Sequence, residues 1–174
     1  MRILARILNF LLASLFAVLP YGCSAIQQQI VAGARQPGEQ IATTPETALK
    51  DANCAKRERP FVQFESLEVL PEMVKPGARV NYRVVYLMCP LKLSESIKTR
   101  VTRSMFFKGD QVARNVKEDF EAKPGRWIVD SFFTLPPDSP LGVYALEVAF
   151  HIAKGYHQKQ VRSFVVSNEF YLSE

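Results

Sequence analysis

The chain has 174 residues, 48% hydrophobic and 22% charged, a composition that suits one globular domain and excludes wholesale disorder. Its formal charge of +5 falls to +3 once Arg2 and Arg6 of the N-terminal leader are set aside, because every Asp and Glu lies beyond them. So small a balance argues against an obligate polyanion partner, nucleic acid included.

At the N-terminus, residues 1–6 form a short cationic segment and residues 7–19 an apolar one broken only by Asn9 and Ser14. As a helix the apolar run spans about 20 Å, short of the roughly 30 Å hydrocarbon core of a bilayer. Residues 1–22 therefore read as a secretion signal. The run Leu19-Pro20-Tyr21-Gly22-Cys23 resembles the lipobox of bacterial lipoproteins, with Gly22 as the small residue before the cysteine; Pro20 and Tyr21 depart from its usual residues. That resemblance implies lipid on Cys23, and Ser24 behind it implies sorting to the outer membrane. The other reading is cleavage after Ala25. Under both, Cys54 and Cys89 remain as an even pair in an oxidising compartment, where a disulfide closing a loop of about 35 residues is predicted. Neither has a Cys or His close by in sequence, so no metal site is expected.

Residues 23–60 read as a tether rich in Gln, Pro, Gly and Thr, with few large apolar side chains to offset the entropy of ordering. Within it the spacing allows a short helix over residues 45–55, with Thr44 as cap, Pro45 in the first position and Cys54 pinning it to the domain.

From Phe61 the apolar period becomes two. Residues 61–70 carry Val62 and Phe64 and then change phase near Ser66, which predicts a bulge or a switch of sheet. Residues 79–88 put Val80, Tyr82, Val84, Tyr86 and Met88 on one face; residues 143–153 do the same with Tyr144, Leu146, Val148, Phe150 and Ile152. Between these, residues 97–107 alternate with Arg103 as the exception. Gly109-Asp110 marks a tight turn before a return strand over 112–120, and Trp127, Val129 and Phe133 mark another strand. Residues 159–166 close the set, with Phe170-Tyr171-Leu172 expected to pack across the end. Seven to eight short strands with one apolar face each predict an all-β antiparallel sandwich over residues 61–174.

Val74-Lys75-Pro76-Gly77-Ala78-Arg79-Val80 resembles the lead-in to the second strand of bacterial immunoglobulin-like domains. Gly125-Arg126-Trp127, Thr134-Leu135-Pro136 and Leu141-Gly142-Val143-Tyr144 are similar to the "G-x-W, L-P, G-x-Y" run of immunoglobulin-like, macroglobulin-type sandwiches. The resemblance implies that fold, with the tyrosine packed at the start of a central strand, and leaves function open, since the architecture hosts adhesion modules, accessory subunits and spacers.

No catalytic constellation is visible, and no cofactor is expected. His151 and His157 read as solvated surface residues, and the carboxylates Glu118, Asp119 and Glu121 do not converge with Glu65 and Glu68. Lys98, Arg100 and Arg103 form a possible anion-binding face on one strand, which Arg114, Lys117, Lys159 and Arg162 would join if the strands pair suitably. The simpler reading is charge that discourages edge-to-edge association. The expectation is thus a non-catalytic cell-envelope lipoprotein on the periplasmic side, an immunoglobulin-like interaction or accessory module with an envelope protein partner. A polyanion- or carbohydrate-binding domain is the alternative, and a small periplasmic hydrolase comes last.

Overall fold

The computed structural model describes residues 27–28, 31, 35–92, 94–154 and 160–174, apart from the side chains of 153, 154 and 160. Residues 1–22, read above as a secretion signal, and Cys23, His157 and Lys159 lie outside the described residues. The strands are β1 (Gly38–Thr43), β2 (Phe61–Leu70), β3 (Met73–Val74), β4 (Arg79–Cys89), β5 (Ile97–Phe107), β6 (Asp110–Ala122), β7 (Gly125–Thr134), β8 (Gly142–Lys154) and β9 (Gln160–Leu172). They form two facing sheets, β1-β7-β4-β2 and β3-β9-β8-β5-β6. All pairs are antiparallel except the short β3–β9 contact. The fold is an all-β sandwich.

The core lies where the two-residue period places it. Val80, Tyr82, Val84, Tyr86 and Met88 of β4 are buried, as are Tyr144, Leu146, Val148, Phe150 and Ile152 of β8. Phe150 is the aromatic centre, its ring 4.9 Å from Phe64, 5.1 Å from Tyr86 and 5.3 Å from Phe120. Tyr144 stacks between Phe107 and Phe170 and donates its hydroxyl to the Pro140 carbonyl at 2.8 Å, the geometry of a tyrosine corner. In β2 the register slips between Phe64 and Ser66, so Val62 and Phe64 before the bulge and Leu67 and Val69 after it all reach the core.

Three expectations need correction. Residues 38–60 are folded rather than a tether. β1 pairs with β7 through its backbone, and Glu39 accepts a hydrogen bond from Lys123. Helix α1 (Pro45–Asp51) then buries Ala48 and Leu49 on the outer face of β4, in a second small core with Leu87, Cys54 and Cys89. The Cys54–Cys89 disulfide, Cα to Cα 5.5 Å, fixes the α1 segment there. Secondly, the β5–β6 turn is Lys108-Gly109, both with positive φ (51° and 91°), one residue earlier than the sequence indicated. Thirdly, Phe170-Tyr171-Leu172 does not cap the sandwich but extends β9: Phe170 and Leu172 point inward and are buried, while Tyr171 is 51% exposed.

Away from α1, the outer face of the four-stranded sheet carries ion pairs. Glu68, Arg83 and Asp130 are successive cross-strand neighbours. Arg35, its side chain only 8% exposed, donates to Glu68 at 2.7 Å and to Asn81 at 3.3 Å. The folded body therefore begins by Arg35.

Candidate functional site

Parity along β5 decides the fate of the basic residues. Lys98 and Arg100 sit at even positions and face outward; Arg103, at an odd one, shares the inner face with Val101 and Met105. The expected Lys98, Arg100 and Arg103 face therefore does not exist as a unit. Arg100 is paired with Glu118 at 2.8 Å, and Lys98 lies directly across from Glu121. Arg162 pairs with Glu58 at 2.9 Å, and the Lys117 ammonium lies over the Phe120 ring at 5.3 Å. The outer surface of β5 and β6 thus carries mixed charge.

His151 does face outward as expected, yet it is not free in solvent. Its Nε2 is 2.9 Å from the Thr102 hydroxyl of β5, and its Nδ1 2.8 Å from the Ser163 hydroxyl of β9. Burial, reinforced by the positive charges of Arg100 and Arg114, holds its pKa below the usual histidine value. Both ring nitrogens are occupied by hydroxyls on a flat sheet face. Among the described residues no group of three or more His, Cys, Asp or Glu is arranged to hold a metal ion.

One concave feature lies on the open flank of the sandwich. There β1 pairs with β7 only from Arg126 to Asp130, so the four-stranded sheet thins beside residues 131–134. Opposite it runs β6, an edge strand bulged twice against β5, with residues 110–119 exposed. Such bulges discourage a further strand from pairing at this edge. Between the sheets a cleft of about 340 Å³ remains, with Tyr82, Met105, Phe133 and Leu146 as its apolar wall and Arg103, Arg114, Asn115 and Ser131 as its polar one. That volume falls in the range of about 300–1,000 Å³ in which small molecules are bound.

Charge is unevenly satisfied here. Arg35, Arg83, Arg100, Arg126 and Arg162 all have carboxylate partners within 2.9 Å. Arg103 and Arg114, both lining the cleft, have no carboxylate partner among the described residues. Arg103 donates instead from Nη1 to Asn115 Oδ1 of β6 at 3.0 Å, which orients the guanidinium and leaves other N–H donors available. Ser131 stands on the inner face of β7, between Val129 and Phe133, where the pattern calls for an apolar residue. It lines the cleft together with Arg103 of the other sheet. Sequence reasoning missed Asn115 and Ser131, although each is a polar residue at an inward position of its strand.

No family model matches the chain, and no curated protein matches it in sequence. Among solved structures it is similar to the C-terminal domain of wzt, with TM-score 0.46 and 11% identity over 65% of this chain and 74% of that one. It is also similar to a Pseudomonas fluorescens alkylpurine DNA glycosylase, AlkC, with TM-score 0.45, 16% identity, and 65% and 30% coverage. Spo0M, a sporulation control protein from Bacillus subtilis, gives TM-score 0.37, 15% identity, and 65% and 49% coverage. The chain thus spans less than a third of the glycosylase, and likenesses this distant carry no argument about function.

Proposed function

We propose that this protein is a non-catalytic lipoprotein of the cell envelope, lipid-anchored at Cys23 on the periplasmic side of the outer membrane, whose β-sandwich binds an anionic group in the cleft between its sheets. The observation that carries the binding role is Arg103, a guanidinium on an inner-face position that lines the cleft without a carboxylate partner among the described residues, with Arg114 nearby on β6. A half-buried arginine on a core-facing position is costly unless something compensates its charge, and an incoming anion supplies that. The polyanion alternative moves with this evidence from the Lys98 and Arg100 face, where Glu118 and Glu121 answer the charge, to the cleft. The Cys54–Cys89 disulfide supports the extracytoplasmic location, since structural disulfides persist in oxidising compartments. A non-catalytic role is supported by His151, whose two nitrogens are engaged by the hydroxyls of Thr102 and Ser163.

Thermal denaturation in the presence of anions tests the binding role. Anionic compounds are expected to raise the melting temperature of the wild type and not of Arg103→Glu; identical shifts in both overturn the assignment. Partition into the detergent phase, lost in Cys23→Ala, tests the anchor.

A further inference from the structure

The lining of the cleft also constrains the body of its ligand, an inference that rests on the anion-binding reading above. Leu146 and Tyr82, at its inner end, are each only 3% exposed, and Met105 and Phe133 complete an apolar wall. A smaller space of about 20 Å³ shares Tyr82 and Arg103 with the cleft and is otherwise walled by apolar core residues such as Val101, Val148 and Phe150. A hydrated glycan or phosphate would exchange water for hydrocarbon over most of this wall. An alkyl chain instead gains about 25 cal/mol for each Å² it buries. At the polar side, the Arg103 fork, steadied by Asn115, matches the two oxygens of one carboxylate.

We infer that the cleft binds a single-chain amphiphile bearing one carboxylate, of the fatty-acid class, with its alkyl chain on Met105, Phe133 and Leu146 and its head on Arg103. The chain enters from the flank where β1 ends, and Arg114 at the rim adds long-range attraction for the head group.

Calorimetric titration of the full mature chain carrying Cys23→Ala, which needs no detergent, tests this with dodecanoate below its micelle concentration. One-to-one binding is expected, weakened at least tenfold in Arg103→Gln, partly retained in Arg103→Lys, and abolished when Ser131→Trp fills the cleft. Dodecyltrimethylammonium, with the same chain and the opposite charge, is expected not to bind. Equal binding of dodecanoate by Arg103→Gln, or equal binding of the cationic amphiphile, overturns the inference. Absence of dodecanoate binding together with Arg103-dependent binding of galacturonate or inorganic phosphate overturns the amphiphile and leaves the anion site standing. Failure of all three anions to bind removes both. Near-ultraviolet circular dichroism and the unfolding midpoint of each variant identify any loss that comes from misfolding.

Discussion

Arg83 and Asp130 are direct cross-strand partners on the outer face of the four-stranded sheet, joined by parallel hydrogen bonds of 2.9 and 2.8 Å. The Asp130 side chain is 1% exposed, and both its oxygens accept from this partner. The hydrogen bonds that Arg83 donates to Asp130, with the negative charge of that carboxylate, raise the Arg83 pKa above the ordinary arginine value. Asp130→Ala should destabilise the fold by about 3 kcal/mol, the scale for orphaning one member of a largely buried charged pair. Arg83→Lys, which cannot form the fork, should fall between that variant and the wild type in urea midpoint.

The disulfide offers a second test. Cys54 and Cys89 are 35 residues apart in sequence, and their bridge holds α1 against Leu87. Cys54→Ala with Cys89→Ala should lower stability by about 3–4 kcal/mol on the chain-entropy account. Limited proteolysis should then cut first within residues 44–60, because the small core there has few other contacts, while the main core around Phe150 stays protected.

A third prediction concerns acid. His151 is depressed by burial and by Arg100 and Arg114, with Glu147 and Glu118 opposing. Its folded pKa therefore lies below the unfolded value of about 6.5. As pH falls through about 6.5 the unfolded chain takes up a proton that the folded chain refuses, so stability declines until the folded pKa is passed. Urea titrations between pH 7.5 and 4.5 should show this decline (both limits are about a unit or more from 6.5). His151→Gln should flatten it, and an unchanged slope would assign the acid response to other groups.

Glycine at the start of β7 supplies a fourth. Gly125 has φ of 98°, and a Cβ there would stand 3.1 Å from the Cα of Pro45 at the head of α1. Gly125→Ala should cost about 1–3 kcal/mol, combining left-handed backbone strain with a contact the helix must yield to. The unfolding midpoint measures it, and a neutral result would show that α1 moves freely.

Much of the sandwich was readable from side chains alone, because β4 and β8 each bury one face and leave the other to different neighbours. The phase change at Ser66 and the Cys54–Cys89 pairing followed from equally local rules. β1 was not readable: Ile41, its one large apolar residue, is 49% exposed, and the strand is held by backbone pairing that leaves no apolar signature. Val85 and Leu87, which follow Arg79, Asn81 and Arg83 on the outer face of β4, were the available sign that something covers that end of the face, and α1 packs on Leu87. Arg103 was visible but misassigned, since it was grouped with Lys98 and Arg100 by strand when its odd position turns it the other way. What it meets there depends on Ser131 and Asn115 of two other strands, a juxtaposition that only tertiary packing reveals.

The clamp of Arg35 on Glu68 and Asn81 also sets a length. Were residues 23–60 a free leash, lipid on Cys23 would let the domain roam well over 100 Å from its attachment point, at about 3.5 Å per extended residue. With Arg35 clamped and Gln28 accepting a hydrogen bond from the Glu72 backbone N–H, the same arithmetic leaves at most about 40 Å. If Cys23 is acylated as proposed, the domain would then hover within roughly one domain diameter of the bilayer, close enough to sample monomers leaving its surface.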